Sequence, residues 1–210
     1  MTIRVILVDD HLLIRRGLRE TLAETTDIRV VGEAGDYGEL RELLRQQPCD
    51  VLLLDLNLPG RSGIDALKSL SEEGETVRSV VLSQHAEDQY GIRAFKAGAM
   101  AYLNKTAAPE VIVEAVRTVA SGRKYVTPEL AQVLAESVAP GAVTSYDQLS
   151  DREMQTLALI ARGHKLSEIA ERLRLSPKTV SVYRARVLEK LGLSSNAELA
   201  TYAMRNGLID

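Results

Sequence analysis

Four short apolar runs in the first half of the chain each end in a residue that phosphoryl-transfer chemistry can use. Ile3–Val8 leads into Asp9 and Asp10, Val51–Leu54 into Asp55, Val80–Leu82 into Ser83, and Ala101–Leu103 through Asn104 into Lys105. Carboxylates brought close together repel one another unless something neutralises them. A hard divalent cation with oxygen ligands does so while keeping several waters, which makes Mg2+ the expected ion. An aspartate can also take a phosphoryl group as a covalent acyl phosphate, and Asp55 suits that role. Lys105 adds a positive charge for the pocket or an incoming phosphate, and Ser83 offers a hydroxyl donor. His11 and His85 flank these residues and are expected at the surface rather than on the metal, because Mg2+ selects oxygen.

Such a site needs elements that gather residues as far apart as Asp9 and Lys105. Strands are predicted at 3–8, 28–34, 50–55, 77–83 and 100–104, with helices at about 11–25, 36–47, 63–73, 86–97 and 109–121. A strand followed by an amphipathic segment, repeated in this way, predicts an α/β doubly wound parallel sheet of five strands with helices on both faces. The strands are continuous runs of Val, Leu and Ile, as strands buried on both faces should be. In such a sheet the carboxyl ends of neighbouring strands meet at one crevice, which would bring the four run ends into one pocket.

Composition leaves room for this and narrows the class. With 45% hydrophobic and 26% charged residues in 210, the chain can bury a core. No apolar run approaches the ~20 residues that a membrane span needs. The single cysteine, Cys49, cannot form an internal disulfide and reads as packing, and no signal-peptide pattern opens the chain. The expected location is cytoplasmic. Net charge divides the molecule: residues 149–210 carry 10 Lys+Arg against 7 Asp+Glu, whereas residues 1–148 carry 16 against 22. A mildly basic back half behind an acidic front half points to a nucleic-acid partner at the C-terminal end.

The pattern changes after residue 121. A domain is expected over 1–121, a helical linker over 122–148 and an all-α domain of four helices over 149–210. Within the linker, Thr127-Pro128 opens a short helix ending near Val138, and Ala139-Pro140-Gly141-Ala142 breaks it. Beyond it, Ser150-Asp151-Arg152-Glu153 and Ser195-Asn196-Ala197-Glu198 have capping-box spacing, Leu149 and Met154 are placed as a staple, and Ser176-Pro177 gives an N-cap before a proline. A helix-turn-helix is predicted from 166–173, a turn at Arg174-Leu175, and 177–191. On a wheel of ~100° per residue, Val180, Val187 and Leu191 share one side of the second helix, and Lys178, Ser181, Val182, Ala185 and Arg186 the other. Small and basic side chains on one face suit entry into a major groove.

At these residues the chain resembles a known family. Val8-Asp9-Asp10-His11, the stretch from Asp55 to Gly63, Val81-Leu82-Ser83 and Tyr102-Leu103-Asn104-Lys105 resemble the receiver domain of two-component response regulators, over residues 1–121. The resemblance implies a flavodoxin-like fold and Asp55 as phosphoryl acceptor. It implies Mg2+ held by Asp10, Asp55 and the backbone carbonyl of Asn57, with Asp9 acting through water. Ser83 and Tyr102 match the switch hydroxyl and switch aromatic of that family, and Lys105 its phosphate-pairing lysine. Leu149-Ser150-Asp151-Arg152-Glu153, Glu168-Ile169-Ala170, Leu175 to Val180 and Lys190-Leu191-Gly192 resemble the LuxR-type DNA-binding domain. A receiver joined to that domain is the architecture of the NarL/FixJ family, and Ser176–Arg184 is similar to its GacA/UvrY-like branch.

The chain is thereby expected to be a phosphorylation-dependent regulator that takes a phosphoryl group from a sensor histidine kinase or phosphotransfer protein and binds promoter DNA as a homodimer. Lys178, Thr179, Arg184, Arg186 and Lys190 are candidates for phosphate or base contacts, with Ser181 and Val182 where base edges would lie. Two positions depart from the family pattern. Lys165-Leu166 stands where Ser then Asn is common, which removes an N-cap hydroxyl and would be offset if the Lys165 ammonium met a DNA phosphate. Gln155 replaces a common glutamate. Two other readings stay open at this point. A phosphatase of the haloacid dehalogenase type would want an acid where Asn57 stands, and a phosphate-independent DNA-binding or interaction protein would leave the acidic pocket without a task.

Overall fold

The structure is a computed structural model, described over residues 2–84, 87–137 and 145–209. His85 lies outside the described residues, as do residues 138–144 of the predicted linker. The chain divides into two compact units, Met1–Val138 and Ala139–Asp210.

The first unit is a parallel sheet of five strands in the order β2-β1-β3-β4-β5, built from β1 (Ile3–Val8), β2 (Ile28–Ala34), β3 (Val51–Asp55), β4 (Arg78–Ser83) and β5 (Ala101–Asn104). Between them run α1 (Leu12–Ala23), α2 (Tyr37–Gln46), α3 (Gly63–Glu72) and α4 (Glu87–Lys96), and α5 (Pro109–Ala120) follows β5. Each boundary falls within about three residues of the predicted one. One face of the pleat sends Val5, Leu7, Val51, Leu53, Val80, Leu82 and Leu103 against Leu18 and Leu22 of α1 and Ile112, Val116 and Val119 of α5. All five residues of β3 are buried, as the central strand of a doubly wound sheet requires.

Strand order turns back between β1 and β3, because the chain passes from β1 to one edge and then crosses to the other side. That switch point is where an open α/β sheet leaves a crevice at its carboxyl end. Register then fixes who meets there. Val8 pairs with Leu54, Asp55 with Leu82, and Ser83 with Asn104. Asp9 and Asp55 therefore stand level, Ser83 lies one residue further along its strand and Lys105 one residue beyond Asn104, and the Lys105 N–H donates to the Ser83 carbonyl at 2.7 Å.

Residues after α5 return to the same unit. Tyr125 forms a parallel bridge with Ala101 at the β5 edge, and its N–H donates to the Met100 carbonyl at 2.9 Å. α6 (Pro128–Ser137) then packs on α4, with the Thr127 hydroxyl donating to the Glu87 carboxylate. Leu130 is fully buried, and a Cβ added at Gly91 would come within 2.5 Å of its Cδ1. Gly91 thus lets α6 approach α4 closely. Residues 124–137, read from composition as linker, belong spatially to the first unit.

The second unit holds a short 3-10 turn at Ser145–Gln148 and the helices α7 (Asp151–Ala161), α8 (Leu166–Leu173), α9 (Pro177–Leu191) and α10 (Asn196–Arg205). Met154, Leu157, Ile169, Leu173, Val180, Val187, Leu199 and Ala203 are among its buried apolar residues. The capping box at Ser150 forms in both directions, with Glu153 N–H donating to Ser150 Oγ at 3.3 Å and Ser150 N–H to Glu153 Oε2 at 2.7 Å. The second predicted box forms by half. Glu198 N–H donates to Ser195 Oγ at 3.2 Å, but the Glu198 carboxylate accepts from Ser194, one residue earlier, through its N–H at 2.7 Å and its hydroxyl at 2.9 Å.

Candidate functional site: an acidic pocket and a basic helix

Local sequence explains how the pocket is held open. β1 ends in two aspartates, and His11 takes extended backbone angles as the N-cap of α1. After Asp55 the chain must turn sharply into α3. A Cβ at Gly63 would lie 2.3 Å from the Asp55 carbonyl oxygen, so only glycine allows the start of α3 to rest against the end of β3. Ser62 caps that helix by accepting from the Asp65 N–H at 3.0 Å.

Within the pocket, Lys105 Nζ lies 2.6 Å from Asp9 Oδ2 and 2.9 Å from Asp55 Oδ2. The Asp55 side chain is fully buried, and its Oδ1 has no hydrogen-bond partner. Burial pushes the Asp55 carboxyl above its ordinary range; Lys105 pulls it down and Asp9 raises it again. Burial works against the Lys105 ammonium, but Asp55 and Asp9 outweigh it and hold that pKa above the usual lysine value. His11 is exposed, as expected, yet its ring reaches the carboxylates of the pocket. Its Nδ1 sits 3.0 Å from Asp9 Oδ1 and 2.7 Å from Asp10 Oδ1. One donor atom each from Asp9, Asp10, His11 and Asp55 lies within 4.8 Å of the others. An acidic set with a buried, unpartnered carboxylate oxygen is compatible with a divalent cation.

Ser83 and Tyr102 are both fully buried, and their hydroxyls hydrogen-bond each other. Burial drives the Tyr102 phenol far above its usual pKa, so it stays a neutral donor. Asn57 is half-buried just beyond β3. Cys49 lies away from the pocket with its thiol pushed up to about 12 by burial, which leaves it inert at neutral pH, as the packing reading requires. Arg15 was not singled out by sequence reasoning. Its guanidinium donates to the Asp9 backbone carbonyl and to Glu33 Oε2 at 3.2 Å, tying α1 and β2 to the pocket.

In the second unit, Lys178, Ser181, Val182, Ala185 and Arg186 are all exposed along one side of α9, and Val180 and Val187 are buried on the other. Thr179 is half-buried beside the N-cap, its hydroxyl 2.8 Å from Ser176 Oγ. Two further predicted DNA contacts also bond within the fold. Lys190 Nζ bonds Glu153 Oε2 at 2.6 Å and the Gln148 carbonyl at 3.1 Å, so it ties α9 to the start of α7. Arg184 Nε donates to Asn196 Oδ1 at 2.6 Å and anchors α10. Lys165 is exposed at the N-cap of α8 and gives no side-chain cap; Glu168 Oε2 accepts from the Lys165 N–H at 3.0 Å. Gln155 accepts from Arg152 Nη1 at 2.9 Å.

A receiver-type pocket followed by a helix-turn-helix defines a signal-dependent DNA-binding protein. Comparison with known proteins agrees. Residues 5–117 match the family described as response regulator receiver domain, and residues 147–203 that described as bacterial regulatory proteins, luxR family. The chain is 40% identical over 210 residues to response regulator GacA of Pseudomonas aeruginosa, covering 99% of this chain and 98% of that one. It is 39% identical over 208 residues to response regulator UvrY of Escherichia coli, covering 98% and 95%. RcsB of Salmonella enterica serovar Typhimurium, solved bound to promoter rprA in the presence of the phosphomimetic BeF3-, is similar with a TM-score of 0.66 and 25% identity, over 96% of this chain and 98% of that one. The chain belongs to the NarL/FixJ family of two-component response regulators, in its GacA/UvrY branch. It is a two-component transcriptional regulator and not an enzyme. Among the described residues no helix is long and apolar enough to cross a membrane.

Proposed function

We propose that Asp55 accepts a phosphoryl group from a phosphohistidine on a sensor kinase or phosphotransfer protein, and that this modification controls promoter binding by the second unit. The observation that carries the reading is the Asp55 carboxylate itself: buried, short of a partner on Oδ1, and flanked by Lys105 at 2.9 Å. In the transfer the donor's P–N bond breaks as a bond from an Asp55 oxygen to phosphorus forms, and the donor imidazole nitrogen takes up a proton.

Asp10, Asp55 and the Asn57 backbone carbonyl would hold Mg2+, with Asp9 acting through water; when bound, the ion supplies positive charge to the equatorial phosphoryl oxygens. Lys105, now shared between Asp9 and Asp55, can transfer one of its bonds to the incoming phosphoryl oxygen. Ser83 can donate its hydroxyl to another oxygen while accepting from Tyr102. The phosphoryl carries roughly −1.5 to −2 charge at neutral pH, enough to reorder such a hydrogen-bonded pair. Slow hydrolysis of the acyl phosphate is the only further chemistry proposed for the receiver.

The functional division we propose is a receiver over 1–121, a linker over 122–148 whose residues 124–137 pack with the receiver, and a DNA-binding domain over 149–210. On α9, Lys178, Ser181, Val182 and Arg186 are the exposed candidates for DNA, with Thr179 at the helix start and Lys165 at the start of α8. The protein would act in the cytoplasm as a homodimer when phosphorylated, on paired half-sites about one helical turn apart. Asp55→Asn tests the acceptor. Mass spectrometry after incubation with acetyl phosphate and Mg2+ should find one adduct on the parent chain and none on the variant. A phosphoryl group on another carboxylate of the variant would overturn the assignment.

A further inference from the structure

We propose that the pocket is a mixed nitrogen and oxygen site in which His11 Nδ1 binds Mn2+, Co2+ or Ni2+ directly, so that the chain separates these ions from Mg2+. This rests on the reading that the pocket holds a divalent cation.

The carboxylates divide their oxygens between two sides. Asp9 and Asp55 each give Oδ2 to Lys105, at 2.6 and 2.9 Å. On the other side, Asp9 Oδ1 and Asp10 Oδ1 face His11 Nδ1 at 3.0 and 2.7 Å. Asp55 Oδ1 is buried with no hydrogen-bond partner. One donor atom each from Asp9, Asp10, His11 and Asp55 lies within 4.8 Å of the others. His11 Nδ1 therefore lies close enough to join Asp10 and Asp55 on one ion after a small contraction, with Asp9 still acting through water. The imidazole is held over the carboxylates from its backbone, because the His11 N–H donates to Asp9 Oδ1 at 2.8 Å. Its side chain is 56% exposed, at the solvent side of the pocket.

The ions themselves supply the discrimination. Mg2+ is hard, prefers oxygen and keeps its waters, so it gains little from a nearby imidazole. First-row transition dications accept imidazole nitrogen readily, with affinity rising from Mn2+ through Co2+ to Ni2+. A ring already poised on two of the carboxylates pays little orientational cost to become a ligand.

Pulsed electron paramagnetic resonance of Mn2+ on the full chain gives a direct reading, since a bound imidazole nitrogen couples to the electron spin. The parent chain should show 14N coupling, His11→Gln should lose it, and His85→Gln should keep it. In parallel calorimetric titrations, the preference for Ni2+ over Mg2+ should fall by at least about tenfold in His11→Gln, the scale on which loss of a metal-site side chain is felt. Coupling that is absent from the Mn2+-loaded parent, or that persists in His11→Gln, overturns the proposal while leaving the cation pocket standing. A chain that binds neither Mn2+ nor Mg2+ overturns both.

Discussion

Replacing Lys165 with serine tests how the helix-turn-helix unit is stabilised and what that lysine does on DNA. The backbone at Lys165 already has N-cap angles, φ −72 and ψ 153, and Glu168 Oε2 already accepts its N–H at 3.0 Å. What is missing is an acceptor for the N–H groups of the first turn, because an ammonium has no lone pair. Its neighbours are the internal standard. Ser150, Ser176 and Ser195 accept from the third residue of their helices at 3.3, 3.0 and 3.2 Å. Supplying the same acceptor at α8 is worth about 1 kcal/mol, within a range of roughly 0.5–2. Removing a cation from the positive end of the helix dipole adds a few tenths. Hydrogen exchange on the full chain should therefore show the amides of α8 exchanging at least about fivefold more slowly in Lys165→Ser. Unchanged or faster exchange would refute the idea that α8 lacks only a cap. If Lys165 also meets a DNA phosphate, the variant should bind all sequences more weakly and lose about 0.9 from the salt slope. Stabilisation with unchanged affinity and slope would make Lys165 a neutral surface residue.

Other perturbations follow from the geometry. Arg4 holds Asp50 through two bonds of 2.9 and 2.7 Å and lowers its carboxyl from 3.8 to about 2. A depressed folded pKa means that this stabilisation is present above the unfolded value and is lost as pH falls from 3.8 to about 2. With the side chains 39% and 28% exposed, solvent screening limits it to about 1 kcal/mol. Asp50→Asn should lower the urea midpoint at neutral pH and leave it nearly unchanged near the lower end of that window; an equal loss at both would point to packing. Leu130→Ala should cost about 2–5 kcal/mol, because the side chain is fully buried where α6 meets α4; an unaltered urea midpoint would show that α6 adds nothing to the first unit. Arg186→Ala should weaken cognate and random DNA alike and reduce the salt slope by about one, whereas Val182→Ala should relax preference at one base position. Equal behaviour of the two in affinity measured against salt would move the base-reading surface elsewhere.

The receiver was legible because a parallel sheet converts sequence position into spatial position simply. Once the strands are known, Val8 opposite Leu54, Asp55 opposite Leu82 and Ser83 opposite Asn104 fix the pocket within two residues. Two features escaped that logic. His11 is a surface residue, as its place after the strand pair suggested, but its extended N-cap backbone also brings the ring to Asp9 and Asp10, a contact that sequence position does not give. The packing of 124–137 escaped because it depends on a partner far away in sequence. Gly91 reads as a weak point in a helix until Leu130 is seen lying against it.

The second unit shows a different limit. A helical wheel gives the direction in which a side chain leaves the axis, and for Val180, Val187, Lys178, Ser181 and Arg186 direction decided exposure. It does not give what else lies in that direction. Lys190 and Arg184 leave α9 on sides where α7 and α10 present Glu153 and Asn196, and long cationic chains close such distances readily. Burial raises the Glu153 carboxyl, but Lys190 and the Ser150 backbone more than reverse it, which marks the Lys190 bond as part of the fold. Arg186 and Lys178 leave the same helix where no such acceptor intervenes among the described hydrogen bonds and ion pairs. The charge available for a phosphate backbone on α9 is therefore smaller than a count of its basic residues suggests, and Lys178 and Arg186 should account for most of its salt dependence.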